Sequence, residues 1–107
     1  MPPGQRPRHL EVWTVELDKL RPVLIVTSDP IAARIERVVV APITSTDLGV
    51  RSHFPLGQAE GLRIDSVANL DAVTTIDRRL LRRRIGSVAV ERRHSFCHAL
   101  AIAMGCG

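Results

Sequence analysis

The sequence has few aromatic residues, few cysteines and no long apolar run. Three aromatic residues are present: Trp13, Phe54 and Phe96. This small number argues against the aromatic platform on which RNA-recognition motifs stack bases. The two cysteines, Cys97 and Cys106, do not make a disulfide framework, and we expect a packed thiol and a tail thiol. The longest apolar run covers residues 38–43, far short of the ~20 residues of a membrane-spanning helix, so a soluble protein is expected.

Lysine is almost absent. Lys19 is the single lysine among 15 basic residues, against 11 acidic ones, and the formal net charge is +4. Arginine binds phosphate through two parallel hydrogen bonds and stacks on bases, so this composition is compatible with a nucleic-acid partner. The densest basic run, DRRLLRRRIG at 77–86, has a second interpretation. It can equally be the solvated side of a short helix with Leu80, Leu81 and Ile85 facing inward.

Residues 1–8 show no hydrophobic periodicity and contain three prolines and a glycine. We therefore predict a flexible tail, followed by a single domain at 9–107. The tail lacks the apolar segment of a secretory signal, so we expect a cytoplasmic location and no membrane anchor.

Metal ligands are scarce as well. His94, Cys97 and His98 are spaced as i, i+3 and i+4 on one predicted helix, but a fourth zinc ligand is hard to find. No acidic residues cluster at the spacing typical of metal sites. We expect neither a metal nor another cofactor.

Alternating and β-branched segments predict strands at 9–17, 22–28, 37–43, 52–56, 65–75 and 84–88. The second and third are apolar on both faces, which is typical of central strands. A short helix is predicted at 29–36 and a closing helix at 90–105. The inward face of the closing helix is predicted to hold Val90, Cys97, Leu100, Ala101 and Met104. These elements predict an α+β, mainly β, domain: a strongly bent sheet or small barrel covered by helices.

Polar side chains stand at the ends of the two most apolar strands. Arg21 precedes the first, and Thr44, Ser45 and Thr46 end the second. Neighbouring central strands project their end residues into one groove, so Arg21 and Thr44 are expected to be neighbours. A guanidinium beside a hydroxyl suits a phosphodiester. If the ligand is RNA, its own 2′-OH can attack the phosphorus, and the protein needs only to orient and stabilise.

Proton transfer needs a different residue, because arginine holds its protons too tightly to act as a base. Asp71, a carboxylate in an otherwise apolar strand, is the first candidate, and His53 is the second. Each has a simpler alternative: Asp71 can neutralise an arginine, and His53 can be surface decoration. Arg21 itself can form an ion pair with Asp18 or Glu16.

Four segments resemble the MazF/PemK (Kid) toxins of type II toxin–antitoxin systems: EVWTVELD at 11–18, RPVLIVTSD at 21–29, VVVAPITST at 38–46 and the stretch at 61–88. The resemblance runs from about residue 11 to residue 104. It implies an SH3-like barrel with a C-terminal helix that forms a homodimer. It also implies metal-independent cleavage of single-stranded mRNA to a 2′,3′-cyclic phosphate, and a cognate MazE-like antitoxin that blocks the site.

The resemblance also implies roles for individual residues. The family's catalytic arginine and threonine fall on Arg21 and Thr44, and its acidic residue falls on Asp71. At one position of the same segment, where the Kid branch of the family has an arginine, this chain has Asn69. The predicted RNA-binding residues are Ser45, Thr46, His53 and Asn69.

The sequence also departs from the family. The long loop between the first two strands is missing, because Asp18, Lys19 and Leu20 run directly into Arg21. Ala72 replaces a glutamine, Thr74 an arginine and Leu10 a glycine. A missing lid is expected to loosen the grip on substrate or alter which bases are read. Two alternatives therefore stay open: a toxin that inhibits DNA gyrase by protein contacts, and a barrel that binds RNA without cleaving it. The retention of both Arg21 and Thr44 favours the nuclease.

Overall fold

The computed structural model describes residues 6–29 and 34–106. Within them lie seven strands: β1 (Glu11–Glu16), β2 (Leu20–Ile25), β3 (Arg37–Thr44), β4 (His53–Leu56), β5 (Ser66–Asn69), β6 (Thr74–Asp77) and β7 (Leu81–Ser87). The same residues contain one α-helix, α1 (Arg93–Ala103), and 3-10 turns at Gln58–Glu60, Leu70–Ala72, Arg78–Leu80 and Val90–Arg92. A mainly β fold with a C-terminal helix confirms the predicted fold class.

All seven strands join one antiparallel sheet in the order β4-β5-β3-β2-β1-β7, and β6 pairs with β3 off this path. Strand β3 is where the sheet bends. One of its edges pairs with β2, whereas the other pairs with β6 through Arg37–Val40 and then with β5 through Ile43 and Thr44. Because β5 and β6 divide one edge between them, the sheet curls into a half-barrel at β3.

The curled sheet has an apolar core on each face. The larger cluster packs under α1 and includes Leu24, Ala41, Phe54, Leu70 and Phe96. The smaller cluster joins β1, β2, β3, β6 and the start of β7 and includes Trp13, Val15, Val23, Val40 and Leu81. Burial on both faces explains why β2 and β3 read as uninterrupted apolar runs.

The single long strand predicted at 65–75 is wrong. The chain leaves the sheet after Asn69, makes the 3-10 turn Leu70–Ala72 and re-enters it as β6. The Asn69 side-chain oxygen accepts a hydrogen bond of 3.0 Å from the backbone N–H of Asp71. Such a local side-chain bond competes with strand pairing and favours a turn.

The helical interpretation of the arginine run is wrong as well. Only Arg78–Leu80 makes a 3-10 turn, and the following arginines lie in β7, which pairs with β1. The prediction of inward-facing leucines holds in part, because Leu81 is fully buried while Leu80 is half-buried. β7 is therefore longer than the strand predicted at 84–88.

The predicted inward face of the closing helix is confirmed at Leu100, which packs against the larger core, but it is wrong at Val90, Cys97 and Met104. Helix α1 buries Phe96 and Ala99, whereas Cys97 is exposed, Val90 is 74% exposed and Met104 is 53% exposed. Phe96 fixes this orientation, because its ring meets those of His9 and Phe54 edge-to-face at 5.7 Å each. Cys106, the predicted tail thiol, is also exposed.

Some predictions concern residues that the structure does not describe. Half of the predicted helix at 29–36, residues 30–33, lies outside the described ranges, and the described residues 34–36 are not helical. Within the predicted tail, residues 1–5 lie outside them too, while Pro7 is buried and the Arg8 backbone N–H donates to Glu11 at 2.7 Å. Across the described residues, no helix is long and apolar enough to cross a membrane.

Candidate active site

Arg21 and Thr44 lie at the same end of two paired strands. The β2–β3 register pairs Ile25 with Val40 and Val23 with Pro42. Continued by two residues, this register places Arg21 opposite Thr44. Since side chains two residues apart share a face, Arg21 and Thr44 project on the side of Val23 and Pro42. The sequence prediction that these two groups are neighbours follows directly from this pairing.

Both residues line one pocket of about 220 Å³ at the edge of the smaller core. Its walls are the apolar side chains that end this core, among them Val15, Val40 and Ile76. Its polar groups are Arg21, Thr44 and Thr74. Thr74 stands where the family has arginine, so it adds a second hydroxyl to this rim. One cation and two hydroxyls around an apolar base form a site with the hydrogen-bond donors that a phosphate group needs.

The Arg21 guanidinium is held by Asp18 on the turn between β1 and β2. Nε lies 3.2 Å from Asp18 Oδ1, and Nη2 lies 3.2 Å from Oδ2. The hydrogen bonds to Arg21 lower the pKa of Asp18, and the hydrogen bond to Asp18 raises the pKa of Arg21. Both groups stay charged at neutral pH. Of the two ion pairs considered from the sequence, this one is present, while Glu16 pairs with Arg82 at 2.9 Å.

Thr44 has its hydroxyl proton available for a ligand. Its Oγ1 accepts a hydrogen bond of 3.2 Å from the backbone N–H of Thr46. An oxygen that already accepts from the backbone still has its own O–H to donate. Ser45, the next residue, points into a neighbouring groove rather than into the pocket of Arg21.

Asp71 lies on a different element from this pair. It is exposed on the turn Leu70–Ala72, where one carboxylate oxygen accepts a hydrogen bond from the Ser52 hydroxyl. Among the described residues that line the pocket of Arg21 and Thr44, Asp71 does not occur. Nor does it form an ion pair with any arginine of the described chain, so the simpler alternative for Asp71 is not observed either. Its role as a base stays a prediction.

The surface position considered for His53 is wrong. Its side chain is only 3% exposed, on β4 opposite Asn69 of β5. Its Nδ1 lies 3.6 Å from Asp47 Oδ1 and makes no hydrogen bond to the described residues. A buried ring cannot touch RNA directly, so the predicted contact of His53 with RNA does not fit this conformation.

A second concave surface adjoins the pocket, and sequence reasoning missed it. This groove of about 680 Å³ shares Pro22, Ile43 and Thr44 with the pocket. It is also lined by Arg63, Arg82 and Arg83. The available signal was the basic run at 77–86, but a run of arginines does not reveal which of them share one side of a strand. We refer to this surface as the arginine groove.

A metal centre is not evident. The residues that the structure describes contain no group of three or more His, Cys, Asp or Glu side chains that could hold a metal ion. The three possible ligands noted in the sequence, His94, Cys97 and His98, are exposed on α1.

Comparisons with known proteins agree with the geometry. The model of the PemK-like, MazF-like toxins of type II toxin–antitoxin systems matches residues 8–104. The probable endoribonuclease MazF2 of Mycobacterium tuberculosis is 40% identical over 87 residues, which cover 80% of this chain and 85% of that protein. The endoribonuclease MazF3 of the same organism is 35% identical over 98 residues, which cover 92% and 91%.

Solved structures show the same fold. The Mycobacterium tuberculosis toxin MazF-mt6 superposes with a TM-score of 0.85 at 32% identity, covering 91% of this chain and 98% of that one. A mycobacterial endoribonuclease solved with its cognate antitoxin superposes with a TM-score of 0.83 at 24% identity, covering 94% and 97%. The family resemblance of the sequence is thus confirmed over nearly the whole chain. This chain belongs to the PemK-like, MazF-like toxins of type II toxin–antitoxin systems.

Proposed function

We propose that this chain is a toxin that cleaves single-stranded RNA as an endoribonuclease, with the pocket of Arg21 and Thr44 as its phosphate site. The observation that carries the proposal is the shared pocket, where a guanidinium and a free hydroxyl proton lie on one face of β2 and β3. Relatives that are named endoribonucleases and match most of this chain support the same activity.

In the proposed reaction, the scissile phosphate enters the pocket and two of its oxygens meet Arg21 and Thr44. The 2′-oxygen of the preceding ribose attacks phosphorus, and the bond from phosphorus to the 5′-oxygen breaks. The 5′-oxygen takes a proton from solvent water as it leaves, so the products are a 2′,3′-cyclic phosphate and a free 5′-hydroxyl. Arg21 and Thr44 stabilise the charge that grows on the phosphoryl oxygens in the transition state, which is where such donors contribute most to rate.

The proton of the 2′-OH must leave as the bond to phosphorus forms. We keep Asp71 as the proposed acceptor, on the strength of the family resemblance. One oxygen of its carboxylate is bound by the Ser52 hydroxyl, and the other makes no hydrogen bond to the described residues. The Ser52 bond fixes the carboxylate and leaves an oxygen able to take a proton.

The partners follow from the same family relationship. We propose a cognate MazE-like antitoxin, because a structural relative was solved with its cognate antitoxin, and a homodimer, because the family resemblance implies one. Exposed apolar side chains at the two ends of α1 support a protein interface there, since Val90 just before the helix and Met104 just after it are largely exposed. Sedimentation at micromolar concentration tests the dimer, and a monomeric mass would count against it.

The activity is tested with a long unstructured RNA in the presence of EDTA. Arg21→Ala and Thr44→Ala should each lower the cleavage rate by about 10²–10³. Arg93→Ala and Thr75→Ala are matched controls, because both positions are exposed and neither lines the pocket. The controls should cleave as the wild type does.

Three results would contradict the proposal in different ways. Intact RNA with inhibition of DNA gyrase would indicate the gyrase-directed toxin. Intact RNA with retained binding would indicate a barrel that only binds RNA. Cleavage that survives both Arg21→Ala and Thr44→Ala would place the active site elsewhere. Mass spectrometry of the products should detect the cyclic phosphate at the 3′ ends.

A further inference from the structure

The arginine groove begins where the pocket of Arg21 ends. Pro22, Ile43 and Thr44 line both, so the two cavities form one continuous concave surface around the tips of β2 and β3. A polynucleotide with one phosphate at Arg21 and Thr44 has to leave the pocket across an adjoining surface. The arginine groove is such a surface, and it is larger than the pocket itself.

An irregularity in β7 brings two consecutive arginines into this groove. Thr14 of β1 pairs with Arg83 and Val15 pairs with Leu81, which leaves Arg82 as the extra residue of a β-bulge. In a regular strand, consecutive side chains point to opposite faces, whereas a bulge re-aims one of them. Arg82 and Arg83 consequently both line the groove.

The third arginine comes from the loop between β4 and β5. This loop lies directly on β7, because a Cβ added at Gly61 would lie 2.0 Å from the Ile85 carbonyl oxygen. The absence of a side chain at Gly61 permits this backbone contact and brings the following residues, Leu62 and Arg63, to the groove.

The charge of the groove is not neutralised from within. No aspartate or glutamate occurs among its lining residues that the structure describes. Arg82 is paired with Glu16, but Arg63 and Arg83 are exposed and form no ion pair with any described residue. Unpaired arginines are the groups that contact phosphates and release counterions from a nucleic acid.

The floor of the groove is aliphatic. Leu20 is 60% exposed and Ile64 is 61% exposed, and both line the groove together with the arginines. Aliphatic side chains between phosphate-binding groups offer a surface against which bases can pack when no aromatic ring is present.

From these observations we infer that the arginine groove binds the RNA that flanks the scissile phosphate on one side. Arg63 and Arg83 contact phosphates, and Leu20 and Ile64 contact bases. This inference rests on the proposed function. An acidic peptide with aliphatic side chains has a similar chemistry, but only a polynucleotide seated at Arg21 and Thr44 must continue into the adjoining cavity.

The test measures binding without cleavage. A single-stranded oligonucleotide in which every ribose is 2′-O-methylated lacks the attacking hydroxyl, so its dissociation constant can be followed from 50 to 200 mM salt. Each phosphate contact to a single strand contributes about 0.7 to the slope of log K against log salt. The double variant Arg63→Ala/Arg83→Ala should have a slope that is smaller by about 1.4. Over this salt range the affinity of the wild type should therefore fall by a factor about seven times as large as the factor by which the affinity of the variant falls.

The matched control is Arg79→Ala/Arg93→Ala, which removes the same charge from positions outside the groove and should keep the wild-type slope. An unchanged slope in the groove variant would overturn the inference. The inference would equally be overturned if the groove variant bound RNA as the wild type does but no longer bound a synthetic peptide of alternating glutamate and leucine. Cleavage by the wild type is recorded in parallel. If the wild type cleaves RNA, and the groove variant binds and cleaves RNA as well as the wild type, only the inference about the groove is refuted. If the wild type does not cleave RNA at all, the proposed function is refuted.

Discussion

Gly86 is a position where any side chain should damage the fold. A Cβ added there would lie 2.0 Å from the Glu60 carbonyl oxygen and 2.5 Å from its carbonyl carbon, whereas ordinary contact begins at 3.4 Å. In Gly86→Ala, the loop or β7 must therefore retreat by about 1.4 Å, the difference between 3.4 and 2.0 Å. Both atoms belong to the backbone, so no side-chain rotation relieves the contact.

The loop is also held from its other side. Glu60 is buried, its Oε1 accepts from the Gly57 backbone N–H at 2.7 Å, and its Oε2 lies 3.2 Å from Arg92 Nη1. Overpacking typically costs about 1–3 kcal/mol, and these restraints favour the upper value. A loss of about 3 kcal/mol corresponds to a fall in Tm of roughly 12–24 °C in a domain of this size.

Thermal unfolding followed by circular dichroism measures this effect. The matched control is Gly49→Ala, where φ is +73° and no heavy atom lies within 4 Å of the added Cβ. There the substitution costs only the left-handed conformation, about 1 kcal/mol or roughly 4–8 °C. If Gly86→Ala melts no lower than Gly49→Ala, the close contact between the loop and β7 is not what makes glycine necessary at this position.

Three further predictions concern single side chains. Leu10 has a φ of +64° and is 4% exposed. Leu10→Gly should therefore relieve about 1–2 kcal/mol of backbone strain but lose about 2–5 kcal/mol of packing energy. The net free energy of unfolding, measured by urea titration, should be lower than in the wild type. Hydrogen bonds from Arg79 lower the pKa of Asp77 from 3.8 to about 2. The stability that the charged Asp77 contributes is therefore present above about pH 4 and is lost as pH falls towards 2, and Asp77→Asn should weaken that dependence in urea midpoints between pH 2 and 5. Asp18→Ala should lower kcat by less than the roughly 10²–10³-fold expected for Arg21→Ala and should leave KM little changed. A lower KM with unchanged kcat would instead identify Asp18 as a competitor of phosphate for Arg21.

The sequence was sufficient to predict the strands that carry the pocket. β2 and β3 combine β-branched residues with burial on both faces, so their pattern is clear without knowledge of their neighbours. The convergence of Arg21 and Thr44 could be predicted for the same reason, because central strands that pair in antiparallel fashion bring the start of one beside the end of the other.

The arginine groove could not be predicted in this way. It depends on the pairing of β7 with β1, whose residues are about 70 positions apart, and on one extra residue in that pairing. Nothing local in LLRRRIG distinguishes a bulged edge strand from the polar face of a helix. The orientation of α1 was missed for a related reason, since it is set by the contacts of the Phe96 ring with Phe54 and His9 rather than by helical periodicity.

The short turn between β1 and β2 connects the pocket with the groove. Asp18 lies on this turn and binds the Nε and Nη2 edge of Arg21, while the edge formed by Nη1 and the second Nη2 proton faces no carboxylate among the described residues. A guanidinium has five donors in a fixed fork, so a carboxylate on one edge can orient it while the other edge binds phosphate. The same turn leads directly into Leu20, which is exposed on the groove floor. The connection that replaces the family's long loop thus orients the Arg21 guanidinium and leaves the adjoining groove open, as the proposed binding of RNA requires.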